Sequence, residues 1–216
     1  MQETGTAEDK KRRIAERAAR EIRDGELVNL GIGLPTMAAD FISDRIQVSF
    51  QSENGMTGMG PRPVEGREDK EIINAGGQSV TVMEGGMFFD SAFSFALIRG
   101  GHVDVSILGG LQVDSKGNLA NWMVPGKSVP GMGGAMDLLC GVKRVIVTML
   151  HTKNGEPKLK KCCTLPLTAA GAVDTVITEL GVFDIEEDGF VLREPAEGVT
   201  LEEIQKQTDA PVRYHC

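Results

Sequence analysis

The most chemically suggestive residue of this sequence is Glu53, which stands where an apolar, strand-like segment meets a glycine-rich turn. It lies in the run FQSENG at residues 50–55. Ligands bind beyond the carboxyl ends of parallel strands, so a carboxylate at this place, with small residues around it, is well positioned to meet one. Three interpretations are open: a solvated turn residue, a ribose ligand in a dinucleotide site, and a covalent nucleophile.

The first two interpretations need no unusual chemistry. Asn54-Gly55 is a strong turn signal, and a charged residue beside a turn is usually only solvated. Dinucleotide binding is suggested by Gly31-Ile32-Gly33, which follows a strand-like segment, with Glu53 placed 20 residues after Gly33. That spacing suits a carboxylate that binds the ribose hydroxyl. Against this interpretation, Thr36 replaces the third glycine of the fingerprint.

The third interpretation is covalent catalysis by the carboxylate of Glu53. Attack on a thioester would give a mixed anhydride, and such an intermediate splits a difficult exchange into easier steps. The oxyanion that develops would need backbone N–H donors. The run GMGG at residues 131–134 is able to supply them, although the same glycines also suit a tight connection between a strand and a helix.

Composition limits the class of protein. The chain has 216 residues, of which 41% are hydrophobic, so we predict a single domain over residues 1–216 with one sizeable core. The net charge of −8 argues against nucleic acid as a partner. Four cysteines without a C-x-x-C pair and three scattered histidines argue against a metal site. A charged N-terminal segment and the lack of a long apolar run predict a soluble, cytoplasmic protein without a membrane segment.

The predicted elements alternate between strands and helices. Strands are predicted at residues 26–30, 46–52, 103–108 and 144–150, and the central ones are apolar throughout. This pattern predicts an α/β fold with a mainly parallel sheet covered by helices on both faces. Helices are predicted at residues 6–24, after Asp90, and after a capping box at residues 200–203. Residues 54–70 and 110–134 are predicted to be long loops.

The run FQSENG resembles the signature of the B (beta) chain of the 3-oxoacid CoA-transferases, the family I CoA-transferases. Further blocks that resemble this family occur in the same order at residues 29–36, 98–104, 119–122, 124–127, 131–138 and 161–168. So many long blocks in one order make the resemblance specific, whereas SENG alone would be a weak signal.

The resemblance implies a three-layer CoA-transferase-like fold and roles for individual residues. Glu53 matches the nucleophile that forms a glutamyl-CoA thioester, Gly134 the backbone oxyanion donor, and Asn29 the asparagine that positions the glutamate. Coenzyme A would be a substrate, with no metal or other cofactor, and a separate alpha subunit would complete an α2β2 assembly. Candidate contacts to CoA or to the acyl group are Gly31, Gly33, Asn54, Gly133 and Lys127.

The expected substrates are short monocarboxylic acids. In family members that use succinyl-CoA, a lysine follows an Asn-Ala-Gly run after the signature, whereas here Gly77 follows Asn74-Ala75-Gly76. We therefore expect exchange between acetoacetyl-CoA and acetate or butyrate, with a succinyl-CoA:3-oxoacid transferase as the alternative. Outside this class, an NAD-binding oxidoreductase and a non-enzymatic sugar-phosphate sensor remain open.

Overall fold

The computed structural model describes residues 5–126, 131 and 133–214. The helices in this part of the chain are α1 (Ala7–Ala19), a 3₁₀ helix (Leu34–Phe41), α2 (Ser91–Arg99), α3 (Ala135–Gly141) and α4 (Leu201–Lys206). The strands are β1 (Leu27–Leu30), β2 (Ser49–Ser52), β3 (Met56–Met59), β4 (Val82–Phe88), β5 (Val105–Gly109), β6 (Gln112–Asp114), β7 (Leu119–Ala120), β8 (Arg144–Thr148), β9 (Thr152–Lys153), β10 (Glu156–Pro157), β11 (Leu159–Lys160), β12 (Thr175–Thr178), β13 (Gly181–Glu186), β14 (Gly189–Pro195) and β15 (Val212–Tyr214).

Ten of these strands form one central sheet, in the order β15-β14-β13-β12-β8-β5-β1-β2-β3-β4. The five strands in its middle, β2-β1-β5-β8-β12, are all parallel to one another. Antiparallel pairs flank them on both sides, through β3 and β4 at one edge and β13 and β14 at the other. The predicted α/β fold with a mainly parallel central sheet is confirmed.

Helices cover both faces of the sheet, as predicted, because the central strands bury side chains in both directions. On one face, α1 and the 3₁₀ helix pack over a cluster that includes Ile14, Val28 and Ile107. On the other face, a second cluster includes Ile98 of α2 and Leu138 of α3. Alternate residues of β5 and β8 belong to the two clusters, as the alternation of side chains along a strand requires.

Helix starts were the easiest boundaries to predict. Asp90 caps α2, since its Oδ1 accepts a hydrogen bond from the backbone N–H of Phe93 at 2.8 Å. The capping box of Thr200 and Glu203 opens α4, as expected. The helix predicted at residues 6–24 is shorter, because α1 ends at Ala19.

The predicted loops at residues 54–70 and 110–134 were wrong in part. Strand β3 lies in the first of them, and one glycine on each strand allows close pairing with β4: a Cβ on Gly58 would stand 2.6 Å from the Cα of Gly86. Strands β6 and β7 lie in the second and form a small sheet with β11, about 45 residues further along the chain. Strands β14 and β15 were not predicted. Such pairings depend on distant segments, which local patterns do not reveal.

Candidate active site

Glu53 lies in a hairpin connection at the carboxyl end of β2. Strands β2 and β3 are antiparallel with Ser52 opposite Met56, so only residues 53–55 connect them. Gly55 has φ +124°, and a Cβ there would collide with the carbonyl oxygen of Phe89. Its N–H donates to Ser52 O at 3.0 Å, and its carbonyl accepts from Phe89 N at 3.0 Å. Glycine at this position therefore allows the tight turn that leaves Glu53 half-buried beside the sheet.

The structure places Asn29 beside Glu53. Asn29 is fully buried in β1, directly opposite Gln51 of the neighbouring parallel strand β2. Its Nδ2 donates to Gln51 Oε1 at 2.7 Å, and it lies 3.3 Å from both Glu53 Oε2 and the Gln51 carbonyl oxygen. Asn29 and Glu53, which the family resemblance already paired, thus share a hydrogen bond in which the amide donates to the carboxylate.

Gly134 also lies against the glutamate. It is the N-cap of α3 and is buried. A Cβ on Gly134 would stand 3.2 Å from Glu53 Cγ and 3.1 Å from a ring carbon of Phe95. The structure therefore brings the start of α3 into contact with Glu53, and a residue larger than glycine would crowd it. The neighbouring Gly133 is exposed, with φ +53° and open space around it.

The other candidate contacts differ in how available they are. The N–H of Gly31 donates to Ile107 O at 2.8 Å, so the sheet already uses it and it is not free for a phosphate. The amide of Asn54 donates to Ile73 O at 2.8 Å and fastens the following loop. Gly33 has φ +88°, and a Cβ added there would meet no atom within 4 Å. Lys127 lies outside the described residues.

A pocket opens beside the Glu53 carboxylate. It is lined by Leu30, Gly31, Ile32, Thr36, Gln51, Ser52, Glu53, Met59, Asn74, Ala75, Gly76 and Gln78. None of these lining residues is basic, and Glu53 is the ionisable one among them. One wall is fixed to β2 because the backbone N–H of Ala75 donates to Ser52 Oγ at 2.9 Å. The pocket offers a neutral surface next to one carboxylate.

Gln51 and Ser94 are neighbours of this site that sequence reasoning missed. Gln51 is buried, and its Nε2 donates to Ser94 Oγ of α2 at 3.0 Å. A signal for Gln51 did exist, since residues two apart in a strand share a face and Gln51 precedes Glu53 by two. No local signal points to Ser94, which is 43 residues further along the chain.

Large apolar side chains are exposed close to the site. Met83, Met87 and Phe88 belong to β4, which is the outermost strand at this edge of the central sheet. Phe93 at the start of α2 and Ile32 of the pocket wall are also more than half exposed. Exposed apolar residues grouped in this way mark an interaction surface more often than residues scattered singly do.

Two features of other protein classes are absent from the described residues. No group of three His, Cys, Asp or Glu side chains in that part of the chain is arranged to hold a metal ion. None of the helices described above is long and apolar enough to span a bilayer.

Comparison with known proteins places this geometry in a family. The coenzyme A transferase family model matches residues 11–207. The B chain of a probable succinyl-CoA:3-ketoacid coenzyme A transferase from Bacillus subtilis is 53% identical over 93% of both chains. The beta chain of an acetate CoA-transferase from Escherichia coli K12 is 52% identical over 94% of this chain and 93% of its own.

Longer relatives and solved structures agree with the match to the coenzyme A transferase family. The human mitochondrial succinyl-CoA:3-ketoacid coenzyme A transferase 2 is 52% identical over 95% of this chain, which spans 40% of the human protein. The crystal structure of an acyl-CoA transferase from Escherichia coli O157:H7 has the same fold, with a TM-score of 0.73 at 24% identity, over 98% of this chain and 43% of that one. The chain belongs to the coenzyme A transferase family, among the beta subunits of the 3-oxoacid and acetate CoA-transferases.

Proposed function

We propose that this chain is the beta subunit of a short-chain acyl CoA-transferase that works through a thioester on Glu53. The observation that carries the proposal is the half-buried Glu53 carboxylate, with the Asn29 amide donating to Oε2 at 3.3 Å and Gly134 against its side chain. One oxygen is held by the amide, which leaves Oε1 available for attack. Relatives named as CoA transferases favour this role over a dinucleotide site.

The exchange begins with an acyl-CoA. An oxygen of Glu53 attacks the thioester carbonyl carbon, the C–S bond breaks, and CoA leaves as its thiolate from an acyl–glutamyl anhydride. The thiolate then attacks the glutamyl carbonyl carbon, which releases the acyl group as a carboxylate and leaves a glutamyl-CoA thioester. The incoming carboxylate reverses these two steps and leaves as the new acyl-CoA. One thioester replaces another of similar energy, so no ATP is required.

The remaining groups of the site have supporting roles in this proposal. Each attack generates an oxyanion, and the backbone N–H of Gly134, which lies against Glu53, is the proposed donor to it. Gly134 keeps the space between α3 and Glu53 free of a side chain. Water must be excluded while the anhydride exists, because water would hydrolyse the anhydride.

The nucleophile can be tested by trapping. The chain, assembled with its partner subunit, is incubated with acetoacetyl-CoA and treated with borohydride, which reduces a glutamyl thioester, and the peptides are mapped by mass spectrometry. The proposal predicts reduction at Glu53 and none at that residue when acyl-CoA is omitted. Turnover without any modification of Glu53 would overturn it.

We further propose acetate or butyrate as the acceptor and acetoacetyl-CoA as the donor. The support is the neutral lining of the pocket, since an acyl group with a second carboxylate would find no counter-charge on these residues. Relatives named for succinyl-CoA and relatives named for acetate are about equally similar to this chain, so identity does not separate them. Initial rates with acetate, butyrate and succinate decide between the proposals, and a clear preference for succinate establishes the alternative.

We also propose that an alpha subunit docks beside Glu53, in an α2β2 assembly. Several relatives are named as B or beta subunits, and the human relative is a much longer single chain. The exposed apolar side chains of β4 and α2 lie next to the site and provide a surface for such a partner. Light scattering of the co-expressed chains measures the stoichiometry, and a stable, active chain without a partner would refute this part.

A further inference from the structure

A buried chain of polar side chains stands behind the nucleophile. It runs from Ser94 of α2 through Gln51 of β2 to Asn29 of β1, and it ends at the carboxylate of Glu53. The first three side chains are 0–1% exposed. Burying a polar group costs free energy unless the group is hydrogen-bonded. Three buried polar side chains in one row therefore indicate a specific role for their hydrogen bonds.

Ser94 anchors one end of the Gln51 side-chain amide. Ser94 Oγ accepts a hydrogen bond from Gln51 Nε2 at 3.0 Å, and the other end of the amide, Oε1, faces Asn29 of β1. That oxygen then accepts from Asn29 Nδ2 at 2.7 Å, the shortest hydrogen bond of the row. The hydroxyl on the helix thereby fixes an amide two strand positions before the nucleophile.

Gln51 in turn determines which way the Asn29 amide faces. If the Asn29 amide were reversed, its carbonyl oxygen would lie against both Gln51 Oε1 and the Glu53 carboxylate, and acceptors repel each other. In the observed orientation, Asn29 Nδ2 donates to both Gln51 Oε1 and Glu53 Oε2. Asn29 Oδ1 has no hydrogen-bond partner among the described residues. The site leaves one buried oxygen unsatisfied and directs the donor at Glu53.

We propose that Gln51 and Ser94 are positioning residues for the reaction, which act through Asn29 to hold the Glu53 carboxylate in its reactive orientation. This inference rests on the proposed function of Glu53. A carboxylate held at one oxygen by an oriented donor attacks from a restricted geometry, and a nucleophile displaced by about 1 Å costs up to ~10²-fold in rate. Ser94 does not line the pocket beside Glu53, so its removal is expected to affect the chemical step rather than acyl-CoA binding.

The test measures the single-turnover rate of glutamyl-thioester formation in the assembled enzyme, using Ser94→Ala and Gln51→Met. We expect each rate to fall by about tenfold or more, with the KM for acyl-CoA within about twofold of the parent value. The matched control is Ser106→Ala. Ser106 is equally buried, stands opposite Asn29 in β5, and its hydroxyl has no hydrogen-bond partner in the described part of the chain. This control is expected to keep the parent rate.

A double-mutant cycle separates positioning from a general loss of packing. If Gln51 acts through Asn29, then Gln51→Met has little further effect on the rate in an Asn29→Ala background. Fully additive losses, unchanged rates in both single variants, or an equal loss in Ser106→Ala would each overturn the inference. The proposed function fails separately, if borohydride trapping in the unmodified enzyme finds no thioester on Glu53.

Discussion

Asn29 Nδ2 and Glu53 Oε2 lie 3.3 Å apart although 24 positions separate the two residues in the chain. They meet because β1 and β2 are adjacent parallel strands with Asn29 opposite Gln51, which brings the carboxyl ends of both strands to one edge of the sheet. We predict that Asn29→Ala lowers kcat by about 10- to 10³-fold, since it removes the described side-chain donor to the carboxylate. Steady-state kinetics of the assembled enzyme measure this, and an unchanged kcat would remove Asn29 from the mechanism.

Replacement of the nucleophile should abolish exchange without preventing assembly. We predict that Glu53→Ala lowers kcat by at least about three orders of magnitude, because Glu53 is the one carboxylate among the described residues that line the pocket. Glu53→Gln keeps the shape of the side chain and is expected to lose activity to a similar extent. Co-purification with the partner subunit is the control for assembly. Substantial turnover by a verified Glu53→Gln protein would exclude the covalent route.

A methyl group at Gly134 should damage catalysis more than stability. It would stand 3.2 Å from Glu53 Cγ and 3.1 Å from the ring of Phe95, so Glu53 or the start of α3 must shift. We expect Gly134→Ala to lower kcat by about tenfold or more. The matched control is Gly109→Ala at the end of β5, where an added Cβ meets nothing within 4 Å. Comparable kinetics in the two variants would argue against a tight contact at Gly134.

His151 should make folding stability sensitive to acid. It is fully buried, with ring nitrogens 3.0 Å from the hydroxyls of Thr178 and Thr208. Burial, together with the charge of Lys158, lowers the pKa of His151 from 6.5 to about 4. The folded state therefore binds fewer protons than the unfolded state between pH 6.5 and 4, and stability is lost as the pH falls through this window.

The comparison of the parent protein with His151→Gln isolates this contribution. Between pH 7 and pH 5 the parent is expected to lose about 2 kcal/mol more free energy of unfolding than the variant, since each unit of pKa difference is worth about 1.4 kcal/mol. Urea unfolding at both pH values measures the difference. Equal losses in the two proteins would show that His151 is not held neutral by its surroundings.

The proposed docking surface predicts a position-dependent effect of charge. Phe88→Glu places a carboxylate on the outermost strand β4, where Phe88 is 61% exposed, and is expected to weaken the affinity for the alpha subunit, with a loss of about tenfold or more. Leu201→Glu is the matched control, because Leu201 is an exposed apolar residue of α4, outside this surface. Calorimetric titration of the purified subunits measures the affinity of each variant for the alpha subunit. Similar affinities for the two variants would place the interface elsewhere.

The success of the sequence predictions depended on whether the signal was local. The caps at Asp90 and Thr200 were predicted correctly because a cap needs only residues three positions apart. The Met-Thr-Gly-Met sequence of β3 has no strong strand pattern and predicts a loop, whereas the strand forms through pairing with β2 and β4. The FQSENG block located the glutamate because its residues are contiguous.

Contiguous sequence blocks were enough to identify the family, the alternation of helices and strands, and the candidates Glu53, Asn29 and Gly134. The three-dimensional arrangement shows which of these side chains are in contact, and it reveals Gln51 and Ser94 behind them. The physical reason is that hydrogen bonds between segments depend on strand register and helix packing. These bring together groups 22 to 43 residues apart, and no local pattern encodes that distance.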